Sequence, residues 1–239
     1  MRAVLALVLV LGIFHASRAD EPVLVAAAAN LRPALPKLTK LFTEITGVRV
    51  ETVFGSSGKL TSQILNGAPF EVFLSADQEY PGKLATMGLG ADNPRTYAIG
   101  ILVLCLRGQA ESSVAIANPA TAPYGRAAIQ YIREVWKKDP DEVDLVIGES
   151  IGQAAQFFAS GNVDRAFLAK SQVLEFEFHS ETGYRFLDLV GPKLDPIRQD
   201  LLLLKKDGGN PRPASAAFAD FLLSKPAREL LEAGGYRAP

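Results

Sequence analysis

The chain reads as an α/β protein of two lobes, each a mostly parallel sheet flanked by helices, with the backbone crossing between lobes twice. Three observations predict this. Short apolar runs alternate with amphipathic stretches, the order that buries a parallel sheet between helices. The alternation runs through one block up to Met87 and starts again in a second block at Ile99. No low-complexity linker separates the blocks, so the chain is expected to cross near Tyr97–Ile101 and again near Pro196–Asp200. Two crossings let lobes close about a hinge. Residues 20–99 with 198–239 are therefore expected to form one lobe and 100–197 the other.

Val23–Ala28 is a continuous apolar run, read as a buried strand. Arg32–Thr46 carries leucines and Phe42 at helical spacing and stops at Gly47. Val48–Phe54 alternates apolar and polar residues like a strand, Lys59–Asn66 is helical, Glu71–Ser75 is a strand, and Glu79–Met87 is a helix. Ile99–Leu106 reads as one buried strand and Val114–Ala117 as the next. Gly125–Lys138 is a long helix, followed by strand Asp144–Ile147, helix Gly152–Ser160 and strand Ala166–Leu168. Phe186–Leu189 and Gln199–Leu204 are strands, and Ala214–Ala233 is helical with a break near Ser224-Lys-Pro226.

The front of the chain has another character. Arg2, an apolar stretch from Ala3 to Phe14 and the small residues Ser17 and Ala19 describe a secretory leader over 1–19, with cleavage expected after Ala19. The stretch is short for a permanent membrane anchor, and no later run looks long enough to span one. Cys105 is the only cysteine, so an exported chain makes no internal disulfide and the thiol is read as buried and inert. The whole chain has 25 basic and 26 acidic residues; losing Arg2 and Arg18 leaves a net charge of −3. No basic stripe is present to neutralise phosphates, which excludes nucleic acid as a partner.

Four stretches share one design, an apolar run followed by small polar residues and then a helical pattern. They are Val25–Leu31, Phe54–Leu60, Asn118–Gly125 and Gly148–Gln153. A helix start leaves backbone N–H groups without partners and carries the positive end of the helix dipole. Several starts meeting at one point hold an anion without a charged side chain. Taken singly, Asn30 and the pair Ser56-Ser57 also fit plain helix caps. Tyr124 opens a helix after Pro123, where its phenol either donates to a ligand or rests on the surface, and Ile151 brings only a backbone N–H and an apolar wall.

Catalytic and nucleotide readings are thin. Phe54-Gly-Ser-Ser-Gly-Lys has two residues between its glycines and Leu60 after the lysine, so it is no phosphate loop. A secreted serine hydrolase would need Ser57 or Ser150 to meet His179, and no G-x-S-x-G elbow exists. His179 with Glu175 and Glu177 lacks a recognised metal spacing, and a solvated acidic face accounts for these residues.

At these residues the chain resembles periplasmic molybdate-binding proteins, which deliver their ligand to ABC importers. The resemblance runs through Val25–Leu31, Phe54–Leu60, Gly67–Asp77, Ala117–Gly125, Gly148–Ile151, Ser160–Asn162 and Pro196–Asp200, in family order and over nearly all of the mature chain. It implies the two-lobed periplasmic-binding-protein fold, a non-enzymatic receptor without cofactor, and molybdate or tungstate held between the lobes as an intact oxyanion. The implied partner is a membrane permease, the implied form a monomer and the implied place the periplasm. Carried over by position, the ligand contacts are Ala29, Asn30, Ser57, Tyr124 and Ile151. Ser57 is expected to donate through hydroxyl and backbone, and Ile151 through backbone alone. Asn30 stands where many relatives have serine, and Ala169 where some supply a tyrosine, a role that Tyr124 would fill here. Glu71 replaces a usual aspartate, and the stretch between Leu106 and Val114 is short for the family. The same fold binding sulfate, another oxyanion or a small carboxylate is the alternative. A donors-only pocket disfavours protonated phosphate, and Glu149 is the one carboxylate these stretches bring near.

Overall fold

The computed structural model describes residues 21–108, 113–176, 183–205 and 209–239. The leader expected at 1–19, His179 with its immediate neighbours, and 109–112 lie outside these residues. No helix among the described residues is long and apolar enough to cross a membrane.

The first sheet has the order β2-β1-β3-β10-β4, built from β1 (Val23–Ala28), β2 (Val50–Gly55), β3 (Val72–Leu74), β4 (Arg95–Gly100) and β10 (Ile197–Leu203). The second has the order β7-β6-β8-β5-β9, built from β5 (Leu102–Arg107), β6 (Val114–Ala117), β7 (Leu145–Gly148), β8 (Arg165–Ala169) and β9 (Tyr184–Leu189). In each sheet four strands run one way and one runs against them. The reversed strand is β10 in the first sheet and β5 in the second. Both sheets are thus mostly parallel, and each reversed strand is one that arrives from the other sheet.

The apolar run Ile99–Leu106 is not one strand. β4 ends at Gly100 in the first sheet and β5 begins at Leu102 in the second, with Ile101 as the joint. Both halves are buried, so hydropathy runs through the break without marking it. The return crossing lies between Leu189 and Ile197, just ahead of the stretch expected from sequence. Helix α4 (Pro123–Tyr131) continues as a wider π turn over Ile132–Trp136, and Lys137 in the left-handed region (φ 57°) stops it. Helix α6 (Lys170–Phe176) shows no periodicity over its seven residues and was not legible.

Strand alternation builds the first lobe's two cores. Val25, Ala27, Leu74 and Leu201 face α1 (Leu35–Thr46) and α7 (Pro213–Leu222) through Leu35, Phe42 and Phe218, while Ala26, Phe73 and Leu202 face Leu60 and Ile64 of α2 (Ser57–Leu65) and Leu84 of α3 (Glu79–Thr86). The terminal helical region divides as read, α7 ending before Ser224, whose hydroxyl caps α8 (Lys225–Ala233). The second core joins Val103, Cys105, Ile116 and Phe167 to Phe158 of α5 (Ile151–Ala159). Burial pushes the Cys105 thiol up to about 12, which keeps it protonated and unreactive.

Candidate functional site

Four strands end where short turns lead into helices: β1 into a 3₁₀ turn over Ala29–Leu31, β2 into α2, β6 into α4 and β7 into α5. Two of these junctions belong to each sheet. Their ends meet at one small cavity, lined by Ala28, Ala29, Asn30, Gly55, Ser56, Ser57, Ala122, Pro123, Tyr124 and Ile151, with Ala76 from the end of β3. All five residues expected at the site are in this lining, and none of the eleven carries a charge. The cavity volume is about 10 Å³, room for about one water molecule, so a polyatomic ligand enters only as the lobes part.

Contacts across the cleft hold the lobes together. The Gly58 N–H donates to the Thr121 carbonyl at 2.9 Å, and Lys59 pairs with Glu149 at 2.7 Å on the rim. Glu149 is thereby committed to a lysine and does not line the cavity. On the opposite side Arg126 pairs with Asp77 and lies over the Tyr80 ring. Burial raises the Asp77 carboxyl above its ordinary value, opposed by the Tyr80 N–H, the Ser75 hydroxyl and Arg126.

Ser57 is fully buried at the first position of α2. Its Oγ accepts from the Ala76 N–H at 3.0 Å, which leaves the hydroxyl hydrogen to donate elsewhere. The adjacent Ser56 was not among the expected contacts. It lines the same cavity, it is 4% exposed, and its Oγ has no partner. Helix geometry leaves the first N–H groups of α2, α4 and α5 without intrahelical acceptors. At α5 the Ser150 hydroxyl takes the Gln153 N–H, leaving Ile151 at the cavity. Ala169 is buried, outside the lining.

Asn30, expected among the ligand contacts, spends its amide hydrogens within the protein. It is fully buried, and Nδ2 donates to Gln199 Oε1 and to Tyr236 Oη, each at 3.0 Å. Its Oδ1 has no partner. Gln199 then donates through Nε2 to Tyr124 Oη at 3.1 Å, and its Oε1 also accepts from Tyr97 Oη at 2.9 Å. The Tyr236 hydroxyl and the Ser171 hydroxyl close the network by donating to the Asn30 carbonyl at 2.8 and 2.9 Å. Burial pushes the Tyr97, Tyr124 and Tyr236 phenols well above their ordinary value, so all three remain hydroxyl donors. Gln199 lies inside the resembling stretch Pro196–Asp200, but nothing there singled it out as a site residue. It stands between Arg198 and Asp200 at the polar start of β10, and only the fold shows it fully buried.

Two sheets joined by two crossings, with helix starts from both lobes facing one uncharged cavity, define a two-lobed solute-binding protein. Residues 23–237 match the family model of the bacterial extracellular solute-binding proteins. The chain is 40% identical over 235 residues to the molybdate-binding protein ModA of Azotobacter vinelandii, covering 92% of this chain and 91% of the relative. It is 40% identical over 245 residues to ModA of Rhodobacter capsulatus, covering 97% and 94%. The solved periplasmic molybdate-binding protein of Azotobacter vinelandii superposes with a TM-score of 0.81 at 30% identity, covering 91% of this chain and 99% of that one. The chain belongs to the bacterial extracellular solute-binding proteins and, within them, to the family of the molybdate-binding proteins ModA.

Proposed function

We propose that the chain is a periplasmic receptor that captures molybdate, or tungstate of the same charge and shape, between its lobes and delivers it to the permease of an ABC importer. It acts as a monomer, without a cofactor or a chemical step. A leader ending at Ala19 exports it, and residues 20–99 with 198–239 close against 100–197. The observation that carries this reading is the convergence of four strand-to-helix junctions, two from each sheet, on one uncharged cavity. The two ModA relatives, named for molybdate, support the choice of ligand.

In this reading Ala29, Asn30, Ser57, Tyr124 and Ile151 hold the oxygens of the ligand. Ala29 and Ile151 contribute backbone N–H groups, Ser57 its hydroxyl and N–H, and Tyr124 its N–H. One further donor comes from the Asn30–Tyr124 pair, and the Ser56 hydroxyl adds another. Each hydrogen bond to an ionised acceptor is worth about 1.5–3 kcal/mol, so a handful supports affinity in about the micromolar range or better. Calorimetric titration with molybdate, tungstate, sulfate and phosphate tests the reading. Saturable heat with molybdate and tungstate and none with phosphate is expected; no response to molybdate overturns it.

A further inference from the structure

The Asn30 Oδ1 atom poses a problem. It is a buried acceptor without a partner, on a residue lining a cavity read as an oxyanion site. Leaving such an atom unsatisfied is costly, and facing it toward a dianion adds repulsion. A half-turn of the Asn30 amide exchanges Oδ1 and Nδ2 and is soft, because terminal amide torsions are roughly two-fold. That turn alone fails, since it sets Asn30 Oδ1 against Gln199 Oε1, the atom that now accepts from Asn30 Nδ2 at 3.0 Å. Gln199 must turn as well.

With both amides turned, every partner is served once the Tyr236 hydroxyl swings its hydrogen from the Asn30 carbonyl to Asn30 Oδ1 and leaves that carbonyl to Ser171. Gln199 Nε2 donates to Asn30 Oδ1 and to Tyr97 Oη. Tyr97, which donates to Gln199 Oε1 before the turn, gives its one hydrogen to the Ser75 carbonyl instead, 3.0 Å away. Gln199 Oε1 then accepts from the Tyr124 hydroxyl, and Asn30 Nδ2 is released toward the cavity. In the unturned arrangement the Tyr124 hydrogen is the one available and the Asn30 hydrogens are spent on Gln199 and Tyr236. Gly100 keeps the relay compact, because a Cβ there would overlap both Tyr124 Oη and Gln199 Nε2.

We infer that Gln199 is a positioning residue that makes Asn30 and Tyr124 alternate as side-chain donors to the bound oxyanion, with Asn30 donating in the complex. The inference rests on the oxyanion reading of the cavity. Gln199 lies outside the cavity lining, so its effect is exerted through Asn30 in one lobe and Tyr124 in the other.

A calorimetric double-mutant cycle with molybdate tests the alternation. Tyr124→Phe in the native background is expected to weaken binding by less than it does once Gln199 is replaced, because its hydroxyl faces Gln199 in the complex. Gln199→Met, of similar size, lifts the coupling and frees both donors. Adding Tyr124→Phe to Gln199→Met is then expected to cost about tenfold or more. An equal cost of Tyr124→Phe in both backgrounds overturns the inference. A second measurement needs no Gln199 variant. In ¹⁵N spectra of the native chain, the side-chain amides of Asn30 and Gln199 should both shift as molybdate is added, and an unmoved Gln199 amide overturns the relay. Failure of the native chain to bind molybdate strikes the proposed function instead.

Discussion

Gly58 donates its backbone N–H to the carbonyl of Thr121 at 2.9 Å, fastening the start of α2 in one lobe to the turn before α4 in the other. A Cβ on Gly58 would stand 2.6 Å from Tyr80 Oη and 3.0 Å from Thr121 Cα. The tyrosine tip can swing aside, but the Thr121 backbone cannot yield without parting the lobes. Gly58→Ala is therefore expected to hold the cleft ajar. Molybdate affinity should fall about tenfold or more, and small-angle scattering should show no ligand-induced contraction. Native-like contraction would refute this.

Ser57 offers a cleaner loss. Its hydroxyl is anchored as an acceptor by Ala76 and has one hydrogen left. Ser57→Ala should weaken molybdate binding about tenfold or more, the cost of one hydrogen bond to an ionised acceptor. The Ala76 N–H also loses its partner, so thermal unfolding of the free protein should show a modest drop. Unchanged affinity in the calorimeter would remove Ser57 from the contacts.

The ion pairs across the cleft at Lys59 and at Arg126 should not count equally. Lys59 and Glu149 are 47% and 71% exposed, where water and salt screen a pair to about 0–1 kcal/mol. Asp77 is only 15% exposed beside Arg126 at 37%, and the same guanidinium covers the Tyr80 ring. Lys59→Met should change affinity less than about threefold, while Arg126→Met should cost more and be less sensitive to added salt. Titrations at low and high ionic strength distinguish them, and equal effects would count against the assignment.

Alkaline pH should expose the buried hydroxyls and the thiol. Burial raises Cys105 from 9.0 to about 12 and lifts Tyr97 and Tyr124 well above 10.0. A group whose folded value is raised gives stability that is complete below its unfolded value and is lost as pH climbs through the folded one. Urea unfolding should therefore weaken more steeply above about pH 9 than between pH 7 and pH 9. Folded protein should also resist thiol alkylation at about pH 8. Rapid labelling without unfolding would contradict the burial of Cys105.

The strand-to-helix junctions were legible because each is local: a buried strand, a few small residues and an amphipathic start within about ten positions. The junctions brought these stretches forward, and the resemblance to the molybdate-binding proteins then picked out Ala29, Asn30, Ser57, Tyr124 and Ile151. What the side chain of Asn30 does could not be read, because its partners Gln199 and Tyr236 lie 169 and 206 positions away. A crossing was expected near Tyr97–Ile101, yet the strand break that it makes at Ile101 stayed hidden within the run Ile99–Leu106. Both cores demand apolar residues on either side of it, so no change of composition marks the passage from one sheet to the other.

The cavity lining contains no ionised side chain, and this bears on unloading as much as on capture. An ion gripped by lysine or arginine would have to be pried from a fixed counter-charge. Here the grip is distributed over neutral dipoles split between two bodies, so swinging one body away removes a share of the donors and admits water in their place. An importer that pulls on the hinge can thus empty the receptor mechanically, with no proton to deliver and no charge left behind.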